Sequence, residues 1–335
     1  MARLVIPSLI LILQLTFAFG QQHQFEILGT ATGFENNTLL YLDHTCEGDR
    51  KIDSTYVIGR SFTFKGTVKS SAVYALLRTQ NYSDYKFFWI ESGTIQFEAK
   101  KGGFRKATVT GSKTQDEQNK LNLSLENSSE TERSNIEKRF VKESPNSIIS
   151  AHLLGSYAST WGKDTATLLF DNLSIKLKNT SYGRSIAEFI ALNKNVKVGD
   201  RYADFTQNDT KNNPVKLSDF NGKVVLLEFW GSWCGPCRQS NPGLVEVYNE
   251  FKNMGFEILG VGAETNRETW LKAIERDKLS WTNVSDLKGD KNTAALIYGI
   301  SYYPTNFLID KNGIIVAKDL KGDKLRRKLK QLLAE

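Results

Sequence analysis

Residues 25–110 carry short apolar runs divided by Gly, Asn, Asp and Ser: "FEILGTATG", "TLLYLDH", "STYVIG", "SFTFKGTV", "AVYALLR", "KFFWIE", "TIQFEAK" and "FRKATVTG". They are rich in β-branched and aromatic residues, and their regular spacing with turn signals predicts an antiparallel β-sandwich or barrel. Polar and apolar positions alternate in "TFKGTV" and "IQFEAK", as sheets with one wet face require. From about residue 112 the pattern turns helical. "SKTQDEQNKLNLSLENSSETERSNIEKRFVKES" is polar with scattered apolar positions, so the stretch near 113–138 is expected to be partly mobile. "SPNSIISAHLLGSYAST" follows a Pro145-Asn146-Ser147 start signal, and "SYGRSIAEFIALNK" places Ile186, Phe189 and Ile190 at helical spacing.

From residue 196 strands and helices alternate. "KVVLLEFWG" is a near-continuous apolar strand, and 235–253 reads as a helix. "FEILGVGAE", "WTNVSD" and "TNFLID" predict further strands, separated by the helices "RETWLKAIERD" and "NTAALIYGI". A turn at Asn312-Gly313 joins the last strand pair, because both residues tolerate the positive φ that a tight hairpin needs. Together these units predict a mixed central sheet with helices on both faces. The partition is a leader at 1–20, an all-β domain at 21–115, a helical connector at 116–195 and an α/β domain at 196–335.

The leader has its own logic. "MARLVIPSLILILQLTFAFG" offers one positive residue, an apolar run, and small residues at Ala18 and Gly20 before Gln21, the order of a secretory signal cleaved near Gly20-Gln21. Pro7 and Gln14 and the shortness of the run argue against a membrane anchor, so no stable membrane insertion is expected after cleavage. The net charge of +7 is spread among acids rather than gathered. The basic "KLRRKLK" near the C-terminus therefore reads as the solvated face of a helix, and nucleic acid is not an expected partner. Asn-x-Ser/Thr triplets recur, as at Asn208 and Asn283, and are read as compositional.

The chain has only three cysteines, Cys46, Cys234 and Cys237, so an exported fold cannot depend on a disulfide framework. Cys234-Gly235-Pro236-Cys237 follows a buried strand and opens a helix. A thiolate there feels the positive end of the helix dipole and free backbone N–H groups, which lower its pKa. Pro236 suits the first helical turn. The spacing makes Cys234 the exposed nucleophile and Cys237 the resolving thiol one step inward. Glu228, six residues before Cys234, lies inside the apolar strand, where a carboxylate is costly to bury. Such an acid can carry a proton during exchange; the plainer alternative is that it points to a polar side of the strand or bonds a local backbone group.

"FWGSWCGPC" resembles the thioredoxin active site. The wider "VKLSDFNGKVVLLEFWGSWCGPCR" and "GISYYPTNFLIDKNGIIVAKDLKGDKL" resemble the exported TlpA/ResA type of thioredoxin-like oxidoreductase, over the segment from about 196 to the end. The resemblance implies a thioredoxin-like domain, with Pro304 as the cis-proline facing the cysteines and Glu228 at the family's carboxylate position. It also implies that Tyr303, Thr305, Trp233, Gly235 and Pro236 line the binding site for an extended polypeptide. The alternative for Pro304 is a trans proline at a strand start. "FEILGTATGF", "YLDHTCEGDRKIDSTYVIGRSFTFKGTV" and "VTGSKTQDEQNK" resemble the all-β domain, of unknown function, that precedes such domains in exported Bacteroidota proteins. "YADF" at 202–205 lacks the proline usual before that phenylalanine, and Cys46 is extra.

The reading is an exported, periplasmic thiol-disulfide oxidoreductase that reduces protein disulfides. It needs no cofactor; its partners are client proteins with disulfides or thiols and a membrane-bound redox partner. Zinc is disfavoured because the chain has few further ligands, His23, His44 and His152 among them. A structural role for so short a disulfide loop is weak. A thiol peroxidase would show a Pro-x-x-x-Thr-x-x-Cys context, whereas residues 227–234 read Leu-Glu-Phe-Trp-Gly-Ser-Trp-Cys. The remaining alternative is a binding module in which the β domain docks partners.

Overall fold

The computed structural model describes residues 23–46, 49–100 and 103–334. The leader and its cleavage site lie outside the described residues. The chain forms two compact units, divided between Glu126 and Asn127.

The first unit is a β-sandwich. Strands β1 (His23–Ala31), β4 (Ser61–Val68), β7 (Gly93–Ala99) and β8 (Thr108–Thr110) form one sheet in the order β4-β1-β7-β8. Strands β2 (Leu39–Cys46), β3 (Asp49–Tyr56), β5 (Ala72–Thr79) and β6 (Tyr85–Glu91) form the other, ordered β3-β2-β5-β6. The expectation of antiparallel pairing fails once: β1 runs parallel to β7. Of the strands between them, β4 pairs with the other edge of β1 and the rest join the other sheet, so β1 and β7 need not be hairpin partners. Alternation decides the core, because odd positions of β1 (Phe25, Ile27, Gly29 and Ala31) face inward. Phe97 is buried at its centre, with the rings of Phe62, Phe88 and Phe104 packed around it at 5.5–5.7 Å.

The polar stretch near 113–138 is helical. Helix α1 (Lys113–Leu125) is capped by Ser112, whose side chain accepts from Gln115 N, and α2 (Glu130–Glu143) starts with a Ser129/Glu132 capping box. These caps satisfy free N–H groups at both starts. Few apolar residues are needed because α1 docks through amides: Gln115 Oε1 accepts from Trp89 N at 2.8 Å, and Asn119 Nδ2 donates to Val109 O at 3.0 Å. A hydrophobicity pattern does not register such docking.

The second unit continues with α3 (Ile148–Trp161), α4 (Lys163–Asn172), α5 (Ile175–Lys178) and α6 (Ser181–Leu192). A seven-stranded mixed sheet follows, built from β9 (Thr206–Asp209), β10 (Pro214–Lys216), β11 (Val224–Trp230), β12 (Phe256–Gly262), β13 (Thr282–Ser285), β14 (Thr305–Ile309) and β15 (Ile315–Lys318). Its order is β10-β9-β13-β12-β11-β14-β15, with β11, β12 and β13 parallel and the other neighbours antiparallel. Helices α7 (Gly235–Phe251), α8 (Arg267–Asp277) and α10 (Gly322–Ala334) supply one hydrophobic core, and α9 (Thr293–Tyr298) the other. This is a thioredoxin-like domain, with β11 buried along its whole length. Asn193, just past α6, donates to Leu296 O at 3.0 Å and thereby caps α9. Of the turn pair between β14 and β15, Gly313 takes a positive φ and Asn312 does not, so the turn is not the two-residue form in which both would. The basic run lies on α10, where Leu325, Leu329 and Leu332 face the core and Arg326 pairs with Glu246 and Glu250.

Replacing Phe97 by Ala should destabilise the β-sandwich by about 3–5 kcal/mol, since a buried ring is lost and the surrounding rings close the void only in part. Urea unfolding of the full chain, read for the lower-stability transition, checks this.

Candidate active site

The strand-to-helix junction places the cysteines. Strand β11 ends at Trp230, and after four intervening residues α7 begins at Gly235, with Cys234 as its N-cap. Cys234 Sγ accepts a hydrogen bond from Cys237 N at 3.2 Å, so the sulfur occupies the position that a capping oxygen fills in other helices. Pro236 sits in the first turn, where its missing N–H costs nothing. Cys234 and Cys237 are joined by a disulfide. Cys237 is wholly buried, and Cys234 keeps 4% of its surface. Attack from outside can therefore reach only Cys234.

Four side chains that the sequence pattern did not single out hold the junction loop, directly or through one another. Glu264, just past β12, accepts from both the backbone N–H and the Oγ of Ser232, the latter at 2.7 Å. Arg238, directly after Cys237, donates through Nη1 to Ser232 O at 3.2 Å. Its guanidinium makes a bidentate pair with Asp277, the last residue of α8, and Asn241 Nδ2 also donates to Asp277 at 2.7 Å. Partial burial works against the charge on Asp277, but the donors from Arg238 and Asn241 outweigh it and hold the carboxyl below its usual range. Ser232 is thus gripped through its N–H, its hydroxyl and its carbonyl. A charged residue ending an apolar strand, as Glu264 does, is the signal that could have found it.

Trp233, next to Cys234, is 59% exposed, whereas Trp230 is packed in the core. The Trp233 indole donates to Ala263 O at 2.7 Å and lies edge-on to Tyr303, with ring centres 5.5 Å apart. Its ring crosses Gly231 so closely that a Cβ there would stand 2.8 Å from the indole. Only glycine fits under it. The Tyr303–Pro304 peptide bond is cis, which replaces the trans alternative. Pro304 is buried, and Thr305 Oγ1 donates to Tyr302 O at 2.7 Å, bracing the turn. Burial, with Asp290 and Asp286 nearby, holds the Tyr303 hydroxyl above the ordinary tyrosine value, so Tyr303 stays neutral. Gly235 opens the helix with space above its α-carbon. Cys46 ends β2, and its side chain lies outside the described residues.

Glu228 shares a face of β11 with Leu226 and Trp230, the face covered by α7 and Cys237. The plainer alternative, a polar side of the strand, is excluded because β11 has none. Burial pushes its carboxyl up to about 8, against the opposing effects of a hydrogen bond from Asn306 and the charge of Lys321; Asp319 adds to the rise. Asn306 stands directly opposite on β14 and is itself fixed by Leu320, accepting from its N at 2.9 Å and donating to its O at 3.1 Å. No sequence signal marks Asn306, whose place follows from strand register.

Both parts of the chain match known families. Residues 198–318 match the AhpC/TSA family model, and residues 25–118 match a domain of unknown function, DUF4369. The chain is similar to the thiol-disulfide oxidoreductase ResA of Geobacillus thermodenitrificans, 36% identical over 147 residues that cover 44% of this chain and 82% of that protein. It is also similar to the ResA of Bacillus cereus, 28% identical over 167 residues, covering 50% of this chain and 94% of that protein. Among solved structures, the thioredoxin domain of a thiol-disulfide oxidoreductase from Bacteroides vulgatus is 39% identical; the match covers 41% of this chain and 99% of that one, with a TM-score of 0.39.

The raised Glu228 value has a consequence for stability. Between the ordinary carboxylate range and about 8 only the folded chain holds this proton, so unfolding releases it and stability falls as pH rises across that window. Glu228→Gln, which never ionises, should flatten this slope and be the more stable form at about pH 9 by a few kcal/mol. Urea midpoints of both proteins at about pH 5 and about pH 9 check the sign.

Proposed function

The chain belongs to the ResA-type thiol-disulfide oxidoreductases, and we propose that it is an exported reductase of protein disulfides working through Cys234 and Cys237. The observation that carries the reading is a cysteine pair at a helix N-terminus, with Cys234 keeping 4% of its surface and Cys237 wholly buried on the side of the sheet that also holds Glu228.

In the reduced protein, the Cys234 thiolate attacks a client disulfide, forms a mixed disulfide and releases one client sulfur as thiolate. Glu228, as carboxylate, takes the proton from Cys237. The Cys237 thiolate then attacks Cys234 Sγ, which breaks the mixed disulfide, releases the second client sulfur as thiolate and closes the Cys234–Cys237 bond. Two electrons have passed to the client, and an external dithiol donor must return them. In an oxidising compartment that donor is a membrane-bound redox partner. Trp233, Gly235, Pro236, Tyr303, Pro304 and Thr305 hold the client strand beside the sulfur. Export rests on the leader, and no helix among the described residues is long and apolar enough to cross a membrane.

Cys237→Ser should accumulate the client adduct on Cys234 while Cys234→Ser traps nothing, as seen on non-reducing gels of the exported fraction. Absence of any adduct sinks the thiol-exchange reading. Glu228→Gln should slow resolution by about 10²-fold or more, the size of a lost acid–base group. Equilibration in graded thiol buffers sets the direction: a potential near about −270 mV fits a reductant, and one near about −120 mV makes the protein a disulfide donor instead.

A further inference from the structure

Strand β12 has no side chain at Gly260, the position paired with Glu228 in the parallel β11–β12 register. On its other side Gly260 pairs with Asn283 of β13. Asn306, Glu228, Gly260 and Asn283 therefore make one row across four strands, on the sheet face that α7 covers. At 3% exposure Asn283 is buried, which also removes it as a glycosylation acceptor in the folded chain. Its amide is turned by two bonds: Nδ2 donates to Leu279 O at 3.3 Å and to Trp281 O at 2.9 Å. Oδ1 then points onto the sheet, so close that a Cβ on Gly260 would stand 2.5 Å from it.

That oxygen has no hydrogen-bond partner among the described residues, and neither has Glu228 Oε2. Two buried acceptors two row positions apart, with no side chain at the position between them, lack only a proton. An amide oxygen accepts and cannot donate, so it offers nothing to a carboxylate and a full bond to a carboxylic acid. We propose that Asn283 Oδ1 is the acceptor for the proton-bearing carboxyl of Glu228, reached across Gly260 directly or through one water. The Trp281 indole N–H, buried, also without a partner among the described residues and 3.0 Å from the same Cβ position, is the donor that such a water would accept.

Asn283 is then a positioning residue. The proton taken from Cys237 rests on Glu228 Oε2, bonded to Asn283 Oδ1, until recharging of the pair returns it; no other bond changes. Lys321 favours the opposite, ionised form, Asp319 disfavours it, and Cys237 faces the same side of the sheet from α7. The inference deepens the proposed function and rests on Glu228 being the proton carrier.

The test is the Glu228 titration and the carboxylic C=O stretch in the full-length oxidised chain, read with ¹³C-glutamate by NMR and infrared difference spectroscopy. Asn283→Leu keeps the volume and removes the acceptor. The proton affinity of Glu228 should fall about fivefold, the size of one lost hydrogen bond, and its C=O band should move to higher frequency. Gly260→Ala, whose methyl must push Oδ1 aside, should produce the same two changes if Asn283→Leu does not fold. Trp270→Phe removes another unpartnered indole N–H, beside Gly262, and should change neither. An unchanged or raised proton affinity, or an unmoved C=O band, overturns the assignment of Asn283. The role of Glu228 is judged separately, by the rate of Glu228→Gln, so the two failures are distinguishable.

Discussion

One carboxyl group in the middle of a fully buried strand organises the catalytic domain. Taking Glu228 out of water is unfavourable for its charged form, and the fold answers by keeping it protonated up to about 8. A group of that kind is poised near the pH at which thiols exchange protons. Its neighbours across the sheet follow from the same constraint: an amide opposite on β14, a vacant position on β12, and an acceptor beyond it on β13.

Above that row the cysteine loop is held by charge and by shape. Glu264 and Arg238 grip Ser232 from opposite sides, and Asp277 fixes Arg238 to the end of α8. These are charge-assisted bonds in a partly buried place, stronger than surface ion pairs and directional enough to fix a loop. The sulfur of Cys234 then caps α7 in a set position, with Trp233 and Tyr303 as an aromatic wall beside it. Rigidity here serves chemistry, because the N–H that stabilises a thiolate must point at the sulfur before the reaction starts.

The strands and helices of the catalytic domain were largely legible, since each is a long periodic or continuous apolar run bounded by Gly, Asn or Asp. Cys234, Cys237 and Glu228 were legible for a different reason: a polar or reactive residue stands out against an apolar strand or a helix start. The polar stretch near 113–138 was legible as helix but not in how it packs, because α1 docks by Gln115 and Asn119 rather than by a hydrophobic stripe. The parallel β1–β7 pair was also invisible, since alternation reports which face a residue takes but not which strand lies beside it.

Local sequence determined the elements, the helix caps, the Asn312-Gly313 turn and the reactive pair, all of which depend on residues within a few positions of each other. Tertiary structure alone decided what meets Glu228 and Ser232. Asn306, Gly260 and Asn283 come together with Glu228 through the register of four strands, and Glu264 and Asp277 reach the cysteine loop from two other elements. Partners so far apart in the chain leave no periodic trace, because the energy that selects them is the satisfaction of buried polar groups rather than the burial of an apolar face.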